Sequence, residues 1–309
     1  MTGRISLAAF AATLALGCAS AGGGVAGGAR VARLGAPESV ESVRDEFTRR
    51  NPGYDLEFVA ALRELDERLV SRVVFVQSGE ASVQVARGGA SSSVRPGDAI
   101  LLRRGEGLAC EPPIGALVFT VPEPFPAPLP RVIRPDFDPR LTDTPGGCAT
   151  EKDAYRRLLL TWREENGPYV YRALNAHRVR IDDSFTHYHP VEGGFDEFYL
   201  VQGLLPGGRL LTSGATARIE GESGIAAGEA GSLFAERALA VGDLVYLPRG
   251  VAHRGLGGAL VMVITVPGFV PGAEIGLDHH LRAINERLSL EGGAALPLNA
   301  AASKEPVRR

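Results

Sequence analysis

The chain reads as all-β, built from two tandem copies of one barrel, and three observations carry that reading. Glycine (39 residues) and proline (21 residues) are abundant, and short Val/Leu/Ile runs end at them, the pattern of strands separated by tight turns. Helical spacing of apolar residues is confined to 38–50, 150–164 and 277–290. Three stretches recur in the same order: "VVFVQSG" (73–79) with "EFYLVQG" (197–203), "VRPGDAILLRRG" (94–105) with "LAVGDLVYLPRG" (239–250), and "GALVFTVPEPF" (115–125) with "GALVMVITVPGF" (258–269). Ordered self-similarity of this kind marks a duplicated domain, and 309 residues suffice for two.

From the N-terminus, Arg4 and the apolar run Leu7 to Leu16 form a signal-peptide pattern ending at Gly17-Cys18. The run is too short for a transmembrane helix, which needs about 20 apolar residues. "LALGC" resembles the lipobox of bacterial lipoproteins, with Ala15 where leucine is usual. That resemblance implies lipidation of Cys18 and an exported location, periplasmic or membrane-anchored. Residues 1–18 are then the signal peptide and the glycine-rich 19–36 a flexible tether. A first barrel is expected over 37–125, a Pro/Asp/Gly-rich linker with a helix over 126–164, a second barrel over 165–290, and a disordered tail over 291–309. In an exported compartment Cys110 and Cys148 are permitted a disulfide.

With 45% hydrophobic residues and a formal charge of −3, no strong field points to nucleic acid or to acidic lipid. The expected partner is a small molecule, and membrane contact is expected only through the N-terminal anchor.

Chemistry gathers in "FTHYHPVEGGFDEFYLVQG" (185–203). Alternate residues of a strand share a face, so His187 and His189 aim two imidazoles at one point. In "GDLVYLPRGVAHRGLG" (242–257) a Gly-Asp turn, a strand and a Pro-x-Gly turn lead into His253. Here the chain resembles the cupin superfamily. His187, His189 and Gly203 fit the first of its two motifs, with a lengthened loop before the acid. Gly242, Pro248, Gly250 and His253 fit the second, with Gly257 where asparagine is usual.

The resemblance implies jelly-roll, or double-stranded β-helix, barrels with a few flanking helices. It also implies one divalent metal held by two histidines, a glutamate and a third histidine. Glu197, the second acid of "DEFYLV", is the expected acid; Asp196, at the usual distance from Gly203, and Glu192 are its rivals. Three imidazoles and a carboxylate suit Fe2+ foremost, and also Mn2+, Ni2+ or Zn2+.

The first copy has no histidine, and Leu108 stands where the second has His253, so it is expected to be metal-free. Arg103, Arg104 and Glu106 are its candidate anion pocket. In the second copy Tyr199, in phase with Glu197, is the candidate proton donor. Arg249, Arg254 and His177 are candidate substrate contacts, and His279 and His280 are expected on the surface of a terminal helix. What the resemblance implies is a metal-dependent enzyme of dioxygenase type acting on a small molecule. The alternatives are a cupin isomerase or lyase, or a non-catalytic exported protein binding a sugar or organic acid.

Overall fold

The computed structural model describes residues 28–86, 88–146, 155–222 and 224–309; the signal-peptide segment, Cys18 and Cys148 lie outside them. Strand β1 (Arg30–Arg33) and helix α1 (Pro37–Arg50) precede the first barrel. That barrel consists of β2 (Asp55–Leu65), β3 (Ser71–Ser78), β4 (Ala81–Val85), β5 (Ser91–Val94), β6 (Ala99–Leu102), β7 (Leu108–Val121) and β8 (Val132–Ile133). They join in the order β5-β4-β7-β3-β6-β8, with β2 also on β7.

The second barrel begins with β9 (Arg156–Leu160), β10 (Asn175–Asp183), β11 (His187–Tyr188), β12 (Asp196–Leu204) and β13 (Arg209–Ser213). Helices α2 (Thr216–Gly221) and α3 (Ala227–Ala230) follow, then β14 (Ala235–Ala238), β15 (Asp243–Leu247), β16 (Ala252–Val266), β17 (Ile275–Gly276) and α4 (Asp278–Leu288). Its main path is β15-β12-β16-β10-β9. Both Gly-Asp turns place glycine at positive φ, 100° at Gly97 and 91° at Gly242, a conformation that other residues adopt only under strain.

Alternation along each strand sorts the apolar side chains into three cores. Val74, Val76, Ile100, Leu102 and Val118 fill the first barrel. Val179, Tyr199, Val201, Val245 and Val263 fill the second. The opposite faces, including Val73, Phe75 and Phe119 from one sheet and Phe198, Leu200, Tyr246 and Ile264 from the other, meet in a shared core. Helix α1 plugs that core: its Phe47 ring lies 5.7 Å from Phe119 and 5.1 Å from Phe198.

Gln77 and Gln202 tie the two sheets reciprocally, the first donating to Val201 O at 2.6 Å and the second to Val76 O at 3.1 Å. The two ladders also slip at these same residues, between Val76 and Ser78 in one and between Val201 and Gly203 in the other. The copies therefore superpose Gln77 on Gln202, one residue away from the alignment of the sequence strings, and the counterpart of Glu197 is Arg72.

Three expectations are corrected by the packing. Residues 30–33, expected in the tether, form an edge strand on β15, with Ala32 fully buried. The helix expected over 150–164 is, in its described part, strand β9 and a short 3-10 turn at Glu164–Asn166. The tail is ordered: Leu296 and Ser303 are buried, and Arg309 exchanges two backbone hydrogen bonds with Glu274 at 2.9 and 3.0 Å. The apolar surface of the second barrel's helical flank, where Leu296 joins Leu277, Leu281 and Ile284, supplies what composition alone did not reveal.

Candidate metal centre

His187 and His253 are direct cross-strand partners, β11 against β16, and Gly276 flanks His187 on the other side. The two imidazole rings lie 4.2 Å apart, and His189 sits 5.4 Å from His187 and 5.3 Å from His253. Glu197 enters from β12, its Oε1 3.2 Å from His253 Nε2 and its Oε2 3.9 Å from His189 Nε2. One donor atom from each of the four residues falls within 4.8 Å of the others, and all four residues are at most 2% exposed.

The hydrogen bonds around the cluster aim it. His187 Nδ1 lies 3.1 Å from Phe185 O and His253 Nδ1 lies 3.3 Å from Val251 O. With Nδ1–H donating to those carbonyls, each Nε2 lone pair turns toward the centre, the tautomer that a metal requires. The Nε2 atoms of all three histidines and Oε1 of Glu197 are buried without a hydrogen-bond partner. Orphaned acceptors cost roughly 1–3 kcal/mol each, and a cation removes four such costs together. Burial, then the neighbouring imidazoles, holds His187 and His189 well below the ordinary histidine value, so both are neutral and competent as ligands. The donor set therefore fits one divalent ion.

The acid is decided by what surrounds its rivals. Asp196 has no capacity to spare: its Oδ1 accepts from Arg249 N and Nε at 2.9 Å each, and its Oδ2 accepts from Asn51 Nδ2 at 2.6 Å and Tyr246 Oη at 2.7 Å. It lies on the outward face of β12, toward α1, and anchors the strand that presents Glu197. Glu192 is exposed on the loop. The loop itself is pinned by Gly250 N–H donating to His189 O at 2.7 Å.

Arg249 and Arg254, expected to meet a substrate, are committed to the protein. Arg249 holds Asp196, while Arg254 donates to Asp183 Oδ1 at 2.6 Å and to Ser184 O at 3.0 Å. The anion pocket expected in the first barrel dissolves likewise. Arg103 caps Ala127 O and Leu129 O, Arg104 donates to Pro122 O, and Glu106 pairs with Arg131. His280 Nδ1 lies 2.6 Å from Glu222 on the α4 flank, with the His279 ring 3.8 Å from its own. Cys110 is buried in the first barrel.

Tyr199 is inside the second barrel, its ring 5.9 Å from His253 and edge-on to it. His177 faces the same interior, opposite Val263, which separates it from Tyr199.

Sequence reasoning missed Glu274. The ladder pairs Tyr188 with Ile275 and His187 with Gly276, so Glu274 falls beside His189 on the histidine face. It is 6% exposed, and burial, then the Glu197 carboxylate, pushes it up to about 7. Nothing in its local string, "GAEIG", distinguishes it from a surface acid.

No protein-family model and no curated protein matches the chain. Solved structures do. A variant of Bacillus subtilis oxalate decarboxylase aligns at 12% identity over 91% of this chain and 84% of its own, with a TM-score of 0.48. The coconut allergen cocosin aligns at 13% identity over 85% and 91%, with a TM-score of 0.46. An IolB-like protein from Salmonella typhimurium aligns at 18% identity over 70% and 82%, with a TM-score of 0.44. Likeness at this level is one of architecture and brings no chemistry with it.

Proposed function

We propose that the chain is a metal-dependent enzyme of the cupin type acting on a small molecule, with dioxygenase-type oxidation as its chemistry. The observation that supports the reading is the buried quartet His187, His189, Glu197 and His253, whose three Nε2 atoms and Glu197 Oε1 have no hydrogen-bond partner. A divalent ion held there, Fe2+ foremost, supplies Lewis acidity and redox capacity. The chain's own residues do the rest. The carbonyls of Phe185 and Val251 fix two of the ligand rings, and the Asp196 network holds the strand that carries Glu197. The four side chains are buried, and Tyr199, beside His253, is the proton donor in this reading. In the same reading the protein is exported, which the lipobox-like "LALGC" segment supports.

The test is metal analysis after anaerobic purification, followed by oxygen uptake on catechol-like and thiol substrates. One redox metal per chain and substrate-dependent oxygen consumption are expected. Stoichiometric zinc with no oxygen uptake would move the reading to an isomerase or lyase, and no metal at all would end it.

A further inference from the structure

Four buried side-chain atoms on one wall of the second barrel have no hydrogen-bond partner: Thr161 Oγ1, Trp162 Nε1, His177 Nε2 and Thr265 Oγ1. Their placement is systematic. Thr265 stands directly across from Glu197 and shares the interior face with Val263 and Val261. His177 is opposite Val263, one step deeper along β10. Thr161 and Trp162 follow β9, the strand paired to β10. The Trp162 ring lies 4.1 Å from Phe269, Phe269 lies 5.3 Å from Phe195, and Phe195 lies 3.9 Å from His189. The wall thus starts at one member of the quartet and returns to another.

All four groups can donate a hydrogen bond, and the indole can do nothing else. Arg156 adds charge: it is paired with Val179 on the interior face of β9, 9% exposed, and close enough to His177 and Glu274 to bias both electrostatically. Its Nη1 donates to Thr144 O at 3.1 Å, and its charge opposes that of Glu274 on this side of the barrel. In the first barrel the wall is broken. The position of His177 is held by Glu57, which pairs with Arg68 at 3.2 Å.

We infer that the wall formed by Thr161, Trp162, His177 and Thr265, with Arg156 behind it, is a binding subsite for the carboxylate of a small organic acid. This rests on the reading of the quartet as a metal centre. The full-length protein, loaded with Co2+, is titrated calorimetrically with malonate and with its neutral analogue malonamide. Malonate is expected to bind at least about tenfold more tightly, as a charge-assisted contact implies. Thr265→Val, which keeps the volume and removes the hydroxyl, weakens malonate roughly 3- to 10-fold. Arg156→Gln weakens it tenfold or more by the same measure. Cobalt stoichiometry stays unchanged in both variants. Equal affinity for the two probes, or malonate binding untouched by Thr265→Val, overturns the subsite and leaves the metal centre standing. Failure of the unaltered protein to bind cobalt overturns both.

Discussion

The two barrels share a ladder and differ in what a single row of it carries. Across β3 and its neighbours the row is Arg72, Leu102 and Thr120; across β12 it is Glu197, Leu247 and Thr265. Leucine and threonine are kept, while the acid is exchanged for a buried arginine whose Nη2 donates to Asp66 O and Glu106 O at 2.7 Å. Tyr199 becomes Val74 in the same register. A candidate ligand in the second barrel is thus a structural donor in the first. The difference teaches that the scaffold needs this row only as packing, so its polar member is free to serve chemistry or to tie loops.

The comparison breaks most visibly at the histidines. His253→Ala or His187→Ala removes one of the four candidate ligands and is expected to cut divalent-metal affinity at least 100-fold, about 2.7 kcal/mol, read as metal per chain. Leu108→Ala in the first barrel leaves metal content intact. A first-barrel change that lowered metal content would mean that the barrels are not functionally separate.

Next in size is the anchor. Asp196→Ala leaves Arg249 and Tyr246 without their partner and is expected to cost about 3–5 kcal/mol in denaturant unfolding. Metal affinity falls with it, because Glu197 is the adjacent residue. Arg72→Met, which strips two carbonyls of their donor, costs about 1–3 kcal/mol and leaves metal affinity unchanged.

Glu274 supplies a pH test. Its folded value, about 7, lies above the ordinary carboxyl value of 4.5, so the folded metal-free protein binds more protons than the unfolded chain between those limits. Stability from this group is present at low pH and is lost as pH rises from about 4.5 to about 7, by up to ~3 kcal/mol. Glu274→Gln, always neutral, is expected to gain on the unaltered protein across that window. Parallel pH profiles would show that Glu274 is solvated.

The smallest effect sharpens the pseudo-symmetry. Gln77→Ala and Gln202→Ala each remove one of two reciprocal hydrogen bonds and are expected to cost about 1 kcal/mol apiece. The pair is expected to be non-additive in a double-mutant cycle.

Much of this was legible before the fold was known. The strand period of two puts His187 and His189 on one face, and the Pro-x-Gly turn places His253 after a strand of the right length. Repetition of three strings gives two barrels, and the absence of histidine from the first 176 residues leaves the first one without this ligand set. These are properties of short stretches, fixed by alternation and by turn chemistry.

What only the tertiary structure decided are choices among neighbours that look alike locally. Asp196 and Glu197 are adjacent. One is consumed because Asn51, 145 residues earlier, and Arg249, 53 later, reach it on one face of β12. Arg249 and Arg254 lost their expected role for the same reason, since distant carboxylates claim them first. Glu274 gains its place beside the cluster only because β17 closes beside His187. Sequence sets which face of a strand a side chain occupies. Which partner waits on that face is set by chain segments far away, and the cost of leaving a buried charge unpaired settles the rest.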